Sequence, residues 1–142
     1  MNMIRMAIGD DLEFLLQHDH GIPCELVQRK IAESEIYVMT AEGGEIIGWL
    51  RYGLFWDLVP FMNMLYLLEP HRRKGFGRQL VGRWEQDMRE RGFEFVLTST
   101  QSNEEAQHFY RRLGYVDSGV LLLPGDPAEI ILRKDIGVRS DK

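Results

Sequence analysis

The chain has 142 residues, of which 44% are apolar and 27% charged, with a net charge of -5 and one cysteine, Cys24. This length favours one domain over residues 1–142 with a buried core, and a single cysteine excludes an internal disulfide framework and favours a reducing cytoplasm. The chain begins without signal-peptide features and has no apolar run near the roughly 18 residues of a membrane span, so a cytoplasmic protein with no membrane partner is expected.

The first part of the chain is predicted to form a strand, two helices and a hairpin. The predicted elements lie at residues 2–8, 9–19, 24–33, 35–41 and 46–55. Gly9-Asp10-Asp11 is typical of a helix start, and Gly43-Gly44 provides the positive φ angles that a tight turn between two strands needs. His18 and His20 flank Asp19 after the first helix. With no third ligand nearby in the sequence, they are interpreted as loop residues that could line an acceptor site, and no metal is expected.

The second part is predicted to alternate strands and helices. The predicted elements are strands at residues 61–68, 93–98, 115–123 and 128–133, and helices at residues 75–91 and 102–114. The first of these helices carries an apolar stripe that includes Leu80, Trp84 and Met88. Ser102 and Glu105 have the spacing of a capping box for the second helix. Together the elements predict one α/β domain.

A basic, glycine-bearing loop joins the strand at residues 61–68 to the following helix. Four cations surround two glycines in this loop: Arg72, Arg73, Lys74, Arg78, with Gly75 and Gly77. Glycine lets the backbone approach a ligand closely, and the first amides of a helix have no intrahelical partner and carry the positive end of the dipole. The pattern therefore predicts a phosphate-binding loop.

Two other phosphate motifs do not fit this loop. A dinucleotide fingerprint needs a third glycine where the chain has Leu80, and a P-loop needs a Gly-Lys-Ser/Thr sequence that is absent. The remaining pattern, Arg72-x-x-Gly75-x-Gly77 after a strand and Pro70, resembles the pyrophosphate loop of the GNAT superfamily of acyl-CoA-dependent N-acetyltransferases.

A second stretch resembles the same superfamily. Residues 103–115 read Asn103-x-x-Ala106-x-x-Phe109-Tyr110-x-x-x-Gly114-Tyr115. Two patterns in the right order make the resemblance strong over residues 62–116. It implies a GNAT-like, mixed and mostly antiparallel sheet of six to seven strands flanked by about four helices. In this family the sheet splays at the central strands, where the acyl-CoA lies.

The resemblance also implies which residues contact acetyl-CoA. Pantetheine would pair with the backbone of Tyr66, Leu67 and Leu68, in the way that an added strand does. The pyrophosphate would meet the amides of residues 73–78, which are Arg73, Lys74, Gly75, Phe76, Gly77 and Arg78. Arg72 or Arg73 would reach the 3′-phosphate, and the sequence leaves this choice open. Asn103 would contact the pantetheine arm, although helix capping explains it equally well.

Three residues are the candidates for the chemistry. The amine acceptor has to lose a proton before it attacks the thioester, and Glu69 is the candidate base, with Asp57 and water chains as alternatives. The N–H of Leu68 is the family-implied donor to the oxyanion. Tyr110 matches the family tyrosine that protonates the leaving thiolate. Direct attack is expected, since no Cys/His or Ser/His signature for a covalent intermediate is present.

The acceptor is the least specified part of the prediction. A primary amine of a small molecule fits the aromatic-rich region between Trp49 and Phe61, in which Trp56 beside Asp57 is the best candidate to face a ligand. A peptide or protein amine, or a catalytically silent CoA-binding sensor, is the alternative. The negative net charge argues against a nucleic-acid partner, and strand edges near the C-terminus would allow a homodimer.

Overall fold

The computed structural model describes residues 2–137, which contain seven strands and four α-helices. In chain order these elements are β1 (Met3–Met6), α1 (Leu12–His18), α2 (Cys24–Ala32), β2 (Ile36–Thr40), β3 (Ile46–Phe55), β4 (Val59–Leu67), α3 (Phe76–Glu90), β5 (Phe95–Gln101), α4 (Ala106–Arg112), β6 (Val116–Leu121) and β7 (Glu129–Asp135). Short 3₁₀ turns at Gly9–Asp11 and Glu69–His71 precede α1 and follow β4.

The strands form one sheet in the order β1-β2-β3-β4-β5-β7-β6. The pairs β1–β2, β2–β3, β5–β7 and β6–β7 are antiparallel. β4 and β5 pair in parallel, with Phe61 opposite Leu97 and Met62 opposite Thr98. The predicted fold, a mixed and mostly antiparallel sheet with about four helices, is thus confirmed. The splay at the central strands stays a prediction.

Within the described residues the chain forms two compact units. The first contains the residues up to Tyr52 together with Met64–Arg83, and the second contains Gly53–Asn63 together with the residues from Trp84 onward. In the first unit, α1 and α2 pack on strand residues such as Val38 and Trp49, both of which are completely buried. A buried ion pair, Arg51 Nε to Asp19 Oδ2 at 2.8 Å, ties β3 to the end of α1.

Helix α3 follows the predicted pattern closely. The side chains of Leu80, Trp84 and Met88 are at most 1% exposed, as the apolar stripe predicted. After the helix, Gly92 has a φ of +94°, and the N–H of Phe93 donates to the carbonyl of Met88 at 3.1 Å. Such a bond, with glycine in the left-handed conformation, is the usual glycine stop of a helix.

Two local predictions are wrong. Helix α4 starts at Ala106 rather than at Ser102, and its N-cap, Glu105, makes no side-chain capping bond. The Glu104 carboxylate instead accepts from the N–H of Gln101 at 2.9 Å, so the predicted capping box does not form and residues 102–105 lie in a turn. In the hairpin between β2 and β3, Gly44 has a positive φ of +92°, and Gly43 does not have the positive φ that was predicted for it.

Candidate active site

The chain leaves β4 at Leu67 and enters a loop whose backbone is unusual. After the 3₁₀ turn at Glu69–His71, Arg73 has a φ of +62° and Gly75 a φ of +85°, and α3 begins at Phe76. Successive N–H groups form an anion-binding concavity where left-handed residues alternate with right-handed ones or lie in a turn. The left-handed angles of Arg73 and Gly75 are compatible with such a concavity, and phosphate binding by this loop stays a prediction.

The start of α3 adds further donors to this loop. The first bond of the helix runs from the N–H of Gln79 to the carbonyl of Gly75, at 3.1 Å. The N–H groups of Phe76, Gly77 and Arg78 precede that bond and have no intrahelical acceptor. The four cations of the loop are all exposed. The helix dipole and these charges both favour a bound anion at this position.

Arg72 and Arg73 play different structural parts. The Nε of Arg72 donates to the carbonyl of Leu67 at 2.8 Å, and its guanidinium lies 5.0 Å from the centre of the Tyr66 ring. Arg72 therefore ties the loop back to the end of β4. Arg73 makes no such bond among residues 2–137 and takes the left-handed conformation. Of the two arginines, Arg73 is thus the freer to reach toward a ligand phosphate.

The end of β4 lies very close to β3. A Cβ atom on Gly48 would be 2.7 Å from Cδ2 of Leu67 and 2.9 Å from the carbonyl oxygen of Tyr66, so only glycine fits there. The N–H of Leu68 donates to the carbonyl of Ile47 at 2.9 Å. The oxyanion role of this N–H stays a prediction, with the added condition that the hydrogen has to be shared with the Ile47 carbonyl or released from it.

The two candidate bases are both at the surface. Glu69 is exposed and its carboxylate has no hydrogen-bond or ion-pair partner within the part of the chain that the structure describes. Asp57 lies with Trp56 in the β3–β4 turn, where both residues have left-handed φ angles of about +60° (59° and 61°). Trp56 is 74% exposed. The position of Glu69, directly after β4, keeps it a candidate base.

A row of rings crosses the first unit from α1 to the loop. His18 stacks on Phe14 with centroids 4.2 Å apart, Phe14 meets the edge of Trp49 at 5.8 Å, and Trp49 stacks on Tyr66 at 5.1 Å. Arg72 continues the row over Tyr66. The sequence indicated an aromatic region but not Phe14. Its position on the same face of α1 as His18, four residues away, was the signal that could have identified it.

The second unit contains Tyr110, whose side chain is largely buried. Tyr110 is 7% exposed, and this burial raises the pKa of its hydroxyl to about 12, although a hydrogen bond with the Thr98 side chain acts in the opposite direction. Thr98 uses its own hydrogen, which Oγ1 donates to the carbonyl of Met62 at 3.0 Å. With a pKa of about 12, Tyr110 stays protonated at neutral pH.

A buried polar cluster supports the Tyr110 ring. The rings of Tyr110 and Tyr115 meet edge to face, with centroids 5.6 Å apart. The Tyr115 hydroxyl donates to Glu85 Oε2 at 2.7 Å, and Lys134 Nζ donates to Glu85 Oε1 at 2.9 Å. Burial, followed by the charge of Glu85, raises the pKa of Tyr115 well above its usual value.

Sequence reasoning missed Glu85, Thr98 and Lys134 in this cluster. Glu85 follows Val81 by four residues and precedes Met88 by three, which places a carboxylate on the buried stripe of α3. From that position the sequence could have predicted that Glu85 is buried and bonded to another polar group. Thr98 and Lys134 carried no comparable signal, because their neighbours come from distant parts of the chain.

The predicted site residues thus lie in two groups. Tyr66, Leu67, Leu68, Glu69 and the loop cations lie together at the end of β4 and the start of α3 in the first unit. Tyr110 and Asn103 lie in the second unit, where Asn103 is an exposed residue of the turn between β5 and α4. The first group combines exposed cations with the N–H groups at the start of a helix, which suit an anion, and the second contains a tyrosine whose pKa of about 12 keeps it protonated at neutral pH.

Residues 2–137 contain neither a membrane-spanning helix nor a cluster of metal ligands. No helix in this part of the chain is long and apolar enough to cross a membrane. No group of three or more His, Cys, Asp or Glu residues is arranged there to hold a metal ion.

Comparison with known proteins connects these features to a family. The model of the acetyltransferase (GNAT) family matches residues 6–115, which include both the loop and the Tyr110 stretch. No curated protein matches the sequence significantly.

Solved structures share the fold over nearly the whole chain. A GNAT-family acetyltransferase from Bacillus cereus ATCC 10987 has a TM-score of 0.76 at 24% identity, covering 98% of this chain and 99% of that one. The ribosomal-protein-S18-alanine N-acetyltransferase from Escherichia coli has a TM-score of 0.80 at 18% identity, covering 100% and 98%. A Bacillus anthracis str. Ames protein in complex with acetyl coenzyme A has a TM-score of 0.80 at 17% identity, covering 95% and 98%. At these identities the likeness shows the fold.

Proposed function

Because the chain belongs to the acetyltransferase (GNAT) family, we propose that it transfers the acetyl group of acetyl-CoA to a primary amine of a small molecule. The whole chain, residues 1–142, would act as one catalytic domain. The observation that carries the proposal is the loop before α3, in which Arg73 and Gly75 have left-handed φ angles among exposed cations. The acetyl-CoA complex of the B. anthracis protein adds support at the level of the fold.

The loop would bind the phosphates of the substrate acetyl-CoA. The N–H groups of residues 73–78 would donate to the pyrophosphate, and the nearby guanidinium and ammonium groups would balance its charge. Arg73 is the better candidate for the 3′-phosphate because Arg72 is already bonded to Leu67. The backbone of Tyr66, Leu67 and Leu68 would pair with the pantetheine amides, and Asn103 would contact the same arm.

The reaction would begin with deprotonation of the acceptor amine. Glu69, exposed at the end of β4, would take this proton directly or through water. The neutral amine would attack the thioester carbonyl, forming the C–N bond and a tetrahedral oxyanion. The N–H of Leu68 would stabilise that charge, after giving up or sharing its bond to the carbonyl of Ile47.

The attacking nitrogen would lose its extra proton to water, and collapse of the tetrahedral species would then break the C–S bond, giving the neutral amide and the thiolate of CoA. Tyr110 is the proposed general acid for this step. Its pKa of about 12 lies well above the roughly 8.5 of an ordinary thiol, so complete proton transfer to the thiolate is uphill. Tyr110 would therefore act chiefly by donating a charge-assisted hydrogen bond to the sulfur, which stabilises the leaving group.

A peptide or protein amine is the alternative acceptor. The printed name of the E. coli structure gives a ribosomal protein as the acceptor of that enzyme. A small-molecule acceptor is favoured by the row of rings, because His18 and Tyr66 are exposed at its two ends on either side of the buried Trp49 and offer flat faces to a compact ligand. Neither acceptor alters the roles proposed for the loop and for Tyr110.

Calorimetric titration with acetyl-CoA and with CoA is the test of the proposal. Micromolar binding of both is expected, followed by CoA thiol release with members of a small-amine library and not with peptides of varied N-terminus. Binding without thiol release from any acceptor would leave the CoA-binding sensor as the function. Absence of binding would make the loop a structural turn, and the transferase proposal would then be wrong.

A further inference from the structure

The strand at one end of the sheet, β6, is apolar and exposed on both of its faces. Every residue of Val116–Leu121 is exposed. The apolar residues in and after this strand have exposed fractions between 49% and 82%: Val116, Val120, Leu121, Leu122 and Leu123. Side chains alternate between the two faces of a strand, so exposure at successive positions leaves both faces uncovered. Apolar runs of this kind on a surface are typical of an interaction site.

The backbone of β6 is also available for pairing. β6 lies last in the strand order, next to β7, with which it pairs from Val116 opposite Arg133 to Leu121 opposite Glu129. The other side of an end strand presents unpaired N–H and C=O groups, which can pair with a further strand. Within residues 2–137, β6 therefore combines an unpaired hydrogen-bonding edge, which has a register irregularity between Asp117 and Gly119, with apolar side chains on either face.

The strand at the other end of the sheet is protected in a way that β6 is not. β1 has only four residues, and its Arg5 forms a two-bond ion pair with Asp11 at 2.8 and 3.0 Å. Arg83 donates from α3 to the carbonyl of Ile4 at 3.4 Å. Short length and charged side chains are the usual protection of an edge strand. The stretch from Val116 to Leu123 contains neither lysine nor proline.

The charge of β6 indicates what kind of surface covers it. Asp117 is the one charged residue between Val116 and Leu123, and Arg111 neutralises it with two bonds, Nε to Oδ1 at 3.0 Å and Nη2 to Oδ2 at 3.1 Å. Residues 118–123 carry no charge. A partner that binds through charged groups would have no charged side chain to pair with at residues 118–123. An uncharged apolar strand is instead complementary to a second copy of itself.

We propose that β6 pairs antiparallel with β6 of a second copy of this chain, about a two-fold axis perpendicular to the strands. A two-fold contact places the same surface on both sides, so like charges in the row would repel one another. The neutral row from Ser118 to Leu123 has no such charges. Pairing would join the free backbone edges and cover the exposed valines and leucines. The proposal does not depend on the acetyltransferase activity.

Sedimentation of matched leucine variants tests the surface. Leu122 and Leu58 are 82% and 68% exposed, so a lysine at either position removes little buried contact. The wild-type chain is expected to sediment at twice its 16.6 kDa, and Leu58→Lys likewise. Leu122→Lys should give a monomer, or a dimer that dissociates at a concentration at least about tenfold higher, roughly 1.4 kcal/mol. A monomeric wild type, or an unaffected Leu122→Lys dimer, would overturn the proposal.

Cysteine crosslinking tests the geometry of the pairing. Cys24 is the only cysteine, so a Cys24→Ser background with one new cysteine at each position from 118 to 122 gives readable disulfides. In an antiparallel two-fold pair, only the positions at the axis bring their own Cα atoms within the roughly 4.4–6.8 Å that a disulfide spans. One or two adjacent positions should therefore crosslink. Crosslinking at every position would mean parallel pairing, and none would place the interface elsewhere; both results contradict the proposal.

Discussion

The two groups of candidate site residues depend on opposite physical features. The loop before α3 is defined by backbone angles, and its cations are exposed. The cluster around Tyr110 and Tyr115 is defined by buried side chains, with Glu85 5% exposed and bonded to both Tyr115 and Lys134. The loop should therefore be sensitive at its glycines and tolerant at each single charge. The cluster should lose stability whenever one partner is removed.

This difference leads to measurements that separate the two groups. Substitutions in the loop are expected to weaken binding of acetyl-CoA and leave the free energy of unfolding nearly unchanged. Substitutions in the cluster are expected to change turnover or stability and leave acetyl-CoA affinity nearly unchanged. A loop variant that mainly unfolds the protein would contradict the comparison.

The largest effect is expected for Gly75→Val. Gly75 has a φ of +85° and open space where a Cβ would lie, so strain rather than collision is the cost. Forcing a β-branched residue into this region costs about 1–3 kcal/mol. The loop should change its conformation instead, and the Kd of acetyl-CoA measured by calorimetry should rise up to about 100-fold.

Gly82→Val is the matched control for this substitution. Gly82 lies in the interior of α3, also has open space at its Cβ position, and does not have a positive φ. The Kd of acetyl-CoA for the Gly82→Val variant should equal its Kd for the wild type. Equal loss of affinity in both variants would mean that bulk on α3, and not the left-handed angle, is responsible.

Tyr110→Phe should have the next largest effect. The loss of a hydrogen bond to a charged leaving group is worth about 1.5–3 kcal/mol, so kcat should fall about 30-fold with an unchanged Kd for acetyl-CoA. Because the pKa of Tyr110 is about 12, the rate of the wild type should not decline through its ionisation at any pH below about 11. Unchanged kcat in the variant would remove Tyr110 from the chemistry.

Tyr115→Phe is expected to act on stability. The substitution leaves one oxygen of the buried Glu85 without its donor while Lys134 stays bonded. An unpaired buried group costs about 1–3 kcal/mol, which urea unfolding would detect as a lower midpoint. Tyr66→Phe is the control, because Tyr66 is 42% exposed and should unfold as the wild type does. Equal midpoints for the two variants would show that the cluster does not stabilise the fold.

The smallest effect is expected for Arg73→Ala. Exposed ion pairs contribute little, so loss of a contact to the 3′-phosphate should weaken CoA binding only about fivefold. The affinity for 3′-dephospho-CoA should not change. Arg72→Ala should weaken the binding of CoA and of 3′-dephospho-CoA to the same extent, because Arg72 holds the loop through its contacts with Leu67 and Tyr66. The reverse pattern would assign the 3′-phosphate to Arg72.

Most elements could be predicted from local patterns. The stripe of α3 and its glycine stop were readable because both depend on residues within a few turns of one another. The start of α4 was not, since the N–H of Ser102, which a capping box would bond to Glu105, donates to the distant carbonyl of Ala128 at 2.8 Å. Ser102 and Glu105 had the spacing of a capping box, but the Glu104 carboxylate bonds to Gln101 and Thr100 instead.

The candidate site shows the same division. Gly75 and the loop cations were predicted from spacing, and the family match covers them. The surroundings of Tyr110 and Tyr115 were not predicted, because Thr98, Glu85 and Lys134 come from β5, α3 and β7 and approach one another only in the folded chain. The Leu68 N–H was predicted to be available and is bonded to Ile47, a contact that depends on how β3 lies beside β4.

The sequence by itself determined the family, the alternation of helices and strands, and a cationic glycine loop at the start of a helix. Each of these depends on residue types at short spacings, where backbone geometry limits the outcome. Only the tertiary structure decided that Tyr110 is buried and protonated, that the Leu68 N–H is bonded to Ile47, and that β6 is exposed among residues 2–137. Burial and hydrogen-bond pairing are set by residues far apart in the chain, so no local pattern contains them.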